Sequence, residues 1–206
     1  MSLDDERRQS IARSHRAGLD EGVILQAAAV LADANGIEQL NVAQLAERLG
    51  VRAPSLYKHV ASLDEIRRGL AVLGARELAQ HLGRAAIGKS GREGVYAVAD
   101  AYRRFARERP GLYAALQRAS DPADANGQAL RAASEEILAV LRAVLAPYGL
   151  DGEGEIHAIR TLRSLAHGFV ALEAVGGFGI PIALDASYHY AIELFTRGLL
   201  HSNDGA

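Results

Sequence analysis

Residues 41–60, NVAQLAERLGVRAPSLYKHV, decide how the rest of the chain is read. Val42, Leu45, Ala46 and Leu49 recur at i, i+3, i+4 and i+7, the apolar stripe of a short helix, and Gln44, Glu47 and Arg48 make its polar back. Asn41 is an N-cap residue whose side-chain oxygen can take an orphan amide of the first turn, with Gln44 placed to bond back as in a capping box. Gly50 follows the last periodic residue, where a left-handed backbone ends a helix and glycine adopts it cheaply. Ala53-Pro54 opens a second helix, since proline at the first helical position gives up an amide that has no partner anyway. Leu56 and Val60 point inward at i, i+4. Arg52, Ser55, Tyr57, Lys58 and His59 form the outer face, and no acid occurs anywhere between Arg48 and Val60.

Two helices joined by a glycine turn, the second showing a short basic face, have the outline of a helix-turn-helix. The run LAERLGVRAPSLYKHV, with a helix-length segment before it and SLDEI after it, resembles the N-terminal domain of the TetR family of bacterial repressors. The likeness is most specific in L-x-x-x-L-G-V-x-x-x-x-L-Y-x-H over residues 45–59 and spans residues 19–82. It implies that Asn41, Gln44, Arg52, Ala53, Ser55, Leu56, Tyr57, Lys58 and His59 meet double-stranded operator DNA. Family members often carry a lysine for a phosphate contact where this chain has Leu63, so that contact is not expected.

Composition sets the frame. With 206 residues, 49% of them apolar and only 5% aromatic, the chain suits an all-α protein with a sizeable core. No cysteine is present, which excludes disulfides and thiolate metal sites. The N-terminus lacks the apolar stretch of a signal peptide, and no segment approaches the ~20 apolar residues of a membrane span. A cytoplasmic protein without a membrane partner is expected. The formal net charge is −2, so binding to nucleic acid must come from a local patch.

Residues 1–18 carry Arg7, Arg8, Arg13, His15 and Arg16, read either as an arm for a minor groove or phosphates or as a solvated tail. Asp20 caps a helix to about residue 35, with Val23, Ala27, Val30, Leu31 and Ala34 inward, and Gly36 ends it. Ser62, Asp64 and Glu65 make a capping box with an extra acid in the first turn. A long helix follows to about residue 82 on Ile66, Leu70, Leu73 and Leu78, with Arg67 and Arg68 near its start, within reach of a DNA backbone. Residues 83–94, GRAAIGKSGREG, dilute the pattern. The expected organisation is an arm over 1–18, a three-helix DNA-binding domain with its linking helix over 19–82, and a helical ligand-binding and dimerisation domain over 83–206.

That glycine-rich stretch contains the one motif for another class of protein. Residues 83–90, GRAAIGKS, fit the P-loop G-x-x-x-x-G-K-[ST] of a nucleotide-binding enzyme. A P-loop needs a buried strand before it and a helix after it. Here Glu77, Gln80 and His81 stand upstream at helical spacing, and no apolar run ending in Asp supplies a second magnesium ligand. The preferred reading is a linker and no enzyme.

The remainder is helical. Val98, Ala101, Tyr102 and Phe105 line one helix up to Arg109-Pro110. A short helix over 111–119 holds Leu112, Tyr113 and Leu116, and Asp121-Pro122 opens a long one to about residue 147 with Leu130, Ile137, Leu138, Leu141 and Leu145 inward. Asp151, Glu153 and Glu155 favour the start of the next helix, about 153–175. On it Arg160, Arg163 and His167 share a face at i, i+3 and i+7, suited to a pocket or an interface. Gly176-Gly177-Phe178-Gly179 breaks the chain, and Asp185 or Ser187 caps a last helix. AHGFVALEAVGGFGIP resembles the body of a TetR subgroup named for a Trp-His-Gly motif, with Ala166 in the tryptophan's place. The resemblance implies a homodimer joined through the last two helices of each protomer.

An apolar interior walled by Tyr102, Phe105, Tyr113, Leu116, Leu141 and Phe169, with Gln117, Arg163 and His167 as sparse polar groups, fits a site for a small apolar effector. His157, His167 and His189 form no H-E-x-x-H, and no paired carboxylates or nucleophile elbow occur, so neither a metal nor a cofactor is expected. The sequence therefore reads as an all-α, TetR-like regulator: a homodimeric repressor released from a palindromic operator by a small ligand.

Overall fold

The computed structural model describes residues 18–117 and 125–201, among which no strand occurs. The expected arm, up to residue 17, and the Asp121-Pro122 helix start lie outside the described residues. No helix among the described residues is long and apolar enough to cross a membrane.

Helix α1 (Glu21–Asn35) begins where Asp20 accepts a hydrogen bond from the Val23 amide at 2.8 Å, and ends at Gly36, with φ 87°. Its inner face differs from the expected one. Ile24, Ala28, Ala29 and Ala32 are buried, while Val23 and Val30 are 38% and 45% exposed. All of residues 23–32 except Gln26 are apolar, so periodicity gives no direction there and the neighbours choose the face. They choose the alanines because another backbone comes very close to that side, as described below.

Helix α2 (Val42–Leu49) is capped by Asn41, whose side-chain oxygen accepts from the Gln44 amide at 3.0 Å. Gln44 makes no reciprocal bond, and its side chain is left exposed. Gly50 takes the left-handed conformation, φ 66° and ψ 28°, and the Val51 amide returns to the Ala46 carbonyl at 3.0 Å. Helix α3 (Ala53–Leu56) is shorter than expected, with residues 57–59 forming a turn that leads to Val60. Leu56 and Val60 are both buried and fix this unit to the core.

Helix α4 (Leu63–Ala86) is the axis on which α1, α5 (Gly91–Glu108), α6 (Pro110–Leu116) and α7 (Ala125–Leu145) pack. The Ser62 hydroxyl accepts from the Glu65 amide at 3.1 Å, and the Glu65 carboxylate accepts from the Ala61 amide, one residue earlier than a capping box requires. The helix does not stop at Leu82. Gly83 to Ala86 complete its last turn, and the break falls at residues 87–90, with Gly88 at φ 70°. The segment matching a P-loop is thus a helix end and its exit, with no strand leading into it.

Helices α8 (Gly152–Ala174) and α9 (Leu184–His201) close the body. Asp151 caps α8, accepting from the Gly154 amide at 2.6 Å. Helix α9 starts at Leu184, so Asp185 lies in its first turn instead of capping it. The Asp185 carboxylate is occupied elsewhere: it holds Arg103 of α5 at 2.8 Å, while Glu173 of α8 holds the same guanidinium at 2.7 and 2.9 Å. Arg103 lies over the rings of Phe169 and Tyr188, 5.2 and 5.0 Å from their centres. One buried arginine thereby pins the end of α8 and the start of α9 to α5. Leu172, Val175, Ile180, Ile182, Tyr190, Leu194 and Leu200 remain exposed on these two helices and their connection.

Candidate nucleic-acid interface and ligand cavity

The basic face survives folding. Arg52, Lys58 and His59 are exposed, Tyr57 is 53% exposed, and Ala53 and Ser55 are half-buried at the start of α3. Asn41 and Gln44 are exposed at the N-terminus of α2. Asn41 is already occupied as a cap and as a donor to the Gln39 carbonyl at 3.3 Å. Leu56 is the exception in the expected set. At 1% exposure it is a core anchor, because the i, i+4 pair with Val60 turns it away from the face that carries Tyr57 and Lys58. Leu63 is half-buried against the core and offers no donor, as expected, while Arg67 is paired with Asp64 at 3.0 Å.

Two concavities matter in the body. The larger, about 590 Å³, is an open cleft lined by Asp100, Arg103, Arg104, Arg107, Glu108, Asp185 and His189. Part of its charge is paired internally, Arg103 with Asp185 and His189 with Asp100 at 2.8 Å. The other, about 420 Å³, lies among α4, α5, α7 and α8 and the end of α6, and is mostly apolar. Its size falls in the range of ~300–1,000 Å³ typical of small-molecule sites, and its few polar groups are what such sites use for orientation.

Of the expected ligand residues, Tyr102, Leu116, Gln117, Leu141 and Arg163 line this cavity. Tyr113 and His167 stand one layer behind it. The Tyr113 hydroxyl is 3.1 Å from that of Tyr102 and 2.5 Å from His167 Nδ1, so both reach the cavity only through Tyr102. Burial pushes the Tyr102 hydroxyl up from its ordinary pKa, against the Tyr113 hydrogen bond and the nearby Arg163 cation. Tyr113 is raised further, again chiefly by burial. Both are neutral donors at physiological pH.

Phe105 and Phe169 lie elsewhere. Phe105 is fully buried with its ring edge-on to His81 of α4, because one turn beyond Tyr102 the α5 face has rotated toward the axis helix. Phe169 stacks on Phe178 and Tyr188 beneath Arg103, in the cluster that holds the last helices together. The lining also includes Ile137 and Leu138 of α7 and Arg160 of α8, which had been read as core or stripe positions, together with Ser134 and Ile159. Their periodicity marked them as inward, but only the space left between the helices makes them a wall. No cluster of three metal-ligating side chains occurs among the described residues.

Helix α6 has the cavity at one end and the N-terminal unit at the other. Leu116 and Gln117 line the cavity. At its start the Asp33 carboxylate of α1 accepts from the amides of Gly111 and Leu112 at 2.8 and 3.2 Å and pairs with Arg109 at 2.7 Å. Arg109 also bonds Glu77 of α4. Gly111 sits so close to α1 that a Cβ there would lie 2.2 Å from the Ala32 carbonyl carbon.

Comparison with known proteins adds an independent finding. Residues 24–67 match the model for bacterial regulatory proteins of the tetR family, and residues 95–195 match the tetracycline-repressor-like C-terminal domain. Neither match confirms the Trp-His-Gly subgroup. An uncharacterised helix-turn-helix transcriptional regulator of Bacillus subtilis is 35% identical across 92% of this chain and 97% of its own length. A Rhodococcus protein of unknown function superposes with a TM-score of 0.74 at 24% identity, covering 90% of this chain and 98% of that one. A TetR variant from Acinetobacter baumannii in complex with minocycline superposes with a TM-score of 0.64 at 21% identity, covering 88% and 96% of the two chains.

Proposed function

The chain belongs to the TetR family of transcriptional regulators, with a DNA-binding helix-turn-helix domain, and from that premise we propose that it is a homodimeric repressor released from a palindromic operator by a small, largely apolar ligand. In this reading residues 19–82 bind DNA, residues 83–206 bind the ligand and the partner protomer, and the protein works in the cytoplasm. Lys58 and Arg52 hold phosphates, and Tyr57 and Ser55 approach base edges or sugar. A single short recognition helix covers too few bases to select a genomic site, so two protomers read two half-sites. The exposed apolar residues of α8 and α9 supply the surface to join them.

The observation that carries the ligand's role is the position of α6. Its C-terminal residues line the cavity, and its N-terminal amides are held by a carboxylate of the first DNA-binding helix. A ligand that moves Leu116 or Gln117 therefore moves α1 as well as α4. To release DNA it must bind the DNA-free state better, and a ~100-fold ratio of affinities corresponds to ~2.7 kcal/mol of coupling. The test is a thermal-shift screen of apolar and aromatic metabolites, followed by fluorescence anisotropy on DNA from upstream of the protein's own gene. Compounds that stabilise the protein should also raise its dissociation constant for that DNA. Stabilising compounds that all leave DNA affinity untouched would remove the regulatory role from the cavity.

A further inference from the structure

The charged side chains described in the lining of the apolar cavity are all of one sign. Arg142 of α7 and Arg160 and Arg163 of α8 belong to its lining, and among the described residues no aspartate or glutamate does. In a chain whose formal net charge is −2, this local excess is specific to the site. Arg142 is already engaged, its Nε 3.1 Å from Glu155 with Glu135 at 3.9 Å. Arg160 and Arg163, nearly one turn apart on α8, have no carboxylate partner among the described residues. Arg163 is near enough to Tyr102 to favour its ionised form, so at least one guanidinium acts on a group of the cavity wall.

Both guanidinium groups are exposed at the mouth of the chamber, so they stay hydrated while it is empty and are available to an anion that arrives there. Guanidinium stays charged at every pH a protein meets, and its planar fork matches a carboxylate bidentately. Most of the remaining wall is aliphatic: Leu78, Leu82, Val98, Leu138, Ile159 and Leu162 offer nothing to a second charge on a ligand. We propose that the effector is an amphipathic acid, a single hydrocarbon or aryl body seated in the chamber with its carboxylate held at the mouth by Arg163 and Arg160. Tyr102 and Gln117 also belong to the lining and bring a hydroxyl and a side-chain amide as further donors. The same charges repel amines. This rests on the reading of the cavity as the ligand site and adds the chemical class.

Calorimetric titration of the full-length protein separates the two claims. The probes share one tail and differ in head group: decanoate, 1-decanol and decyltrimethylammonium, with acetate as the head group alone. Decanoate should bind about tenfold or more tightly than decanol, as one charge-assisted hydrogen bond at a partly exposed site warrants. The ammonium and acetate should not bind measurably. Replacing both Arg160 and Arg163 by Gln should abolish the preference for the acid while leaving decanol affinity unchanged, whereas Arg104→Gln in the open cleft should alter neither. Added salt should weaken decanoate and not decanol. Equal binding of acid and alcohol, or a preference that survives the double substitution, overturns the acid proposal and leaves the cavity reading standing. If no probe with this tail binds, whatever its head group, the cavity itself fails as a ligand site and the acid proposal falls with it.

Discussion

The close approach of Gly111 to α1 gives the sharpest test of how the N-terminal helices are joined to the body. An alanine Cβ at Gly111 would sit 2.2 Å from the Ala32 carbonyl carbon and 2.5 Å from both the Ala32 oxygen and the Asp33 nitrogen. Non-bonded carbons rest at ~3.5–4.0 Å, so α6 and α1 must separate by more than ~1 Å. No side chain can rotate out of the way, because all three atoms are backbone. Overpacking of this kind costs ~1–3 kcal/mol. Separation also stretches the bonds from the Asp33 carboxylate to the first amides of α6, a capping arrangement worth ~1 kcal/mol. Against this stands a gain of up to ~1 kcal/mol from replacing a helical glycine. The net loss is roughly 1–4 kcal/mol, which for a chain of this size lowers the melting temperature by about 2–16 °C. Thermal melts at one fixed protomer concentration measure it. Gly83→Ala is the control, since its Cβ would meet only Val140 at an ordinary 3.8 Å, and it should stabilise by ~0.5–1 kcal/mol. A Gly111→Ala protein that melts within ~2 °C of the parent would show that α1 and α6 do not pack this closely, and the proposed route from cavity to DNA-binding unit would fail with it.

Three further outcomes are expected. Lys58→Ala should leave stability within ~0.5 kcal/mol but weaken binding to every DNA sequence and lower the salt dependence by about one ion per protomer, read from binding isotherms at several salt concentrations. Leu56→Ala should instead cost ~2–5 kcal/mol in urea unfolding, because the side chain is buried; a full loss of DNA affinity at unchanged stability would contradict its assignment to the core. Arg103→Met should cost about 3 kcal/mol by leaving Glu173 without its partner. Arg103's hydrogen bonds hold the Glu173 carboxyl below its usual pKa, so their contribution is present above the unfolded value of ~4.3 and lost as pH falls through the folded value. Urea midpoints below about pH 4.5 should therefore fall more steeply for the parent than for Arg103→Met.

How much of this was legible depended on how far along the chain each determinant reaches. Asp20, Asn41 and Ser62 each accept from an amide three residues on, and Gly36 and Gly50 close helices within the same turn, so a reader of local sequence finds them directly. The α1 face was not readable, since an almost uniformly apolar helix is oriented by its partners, and the decisive partner is Gly111 of α6, far along the chain. The bonds between distant helices are equally remote: Arg109 meets Asp33 across 76 residues, and Arg103 meets Glu173 across 70. Each arginine taken alone reads as a solvated charge. The cavity falls between these cases. Apolar periodicity marks a residue for the interior, and it does so equally for Tyr102, which lines the cavity, and Phe105, which fills solid core three residues later. The polar stripe on α8 divides in the same way. Arg163 reaches the cavity, whereas His167, one turn further on the same face, meets the Tyr113 hydroxyl behind the wall. Helical spacing gives the angle of a side chain about its axis, but position along the axis decides which neighbour it meets. Where neighbouring helices diverge, that height separates a wall of the ligand site from its support.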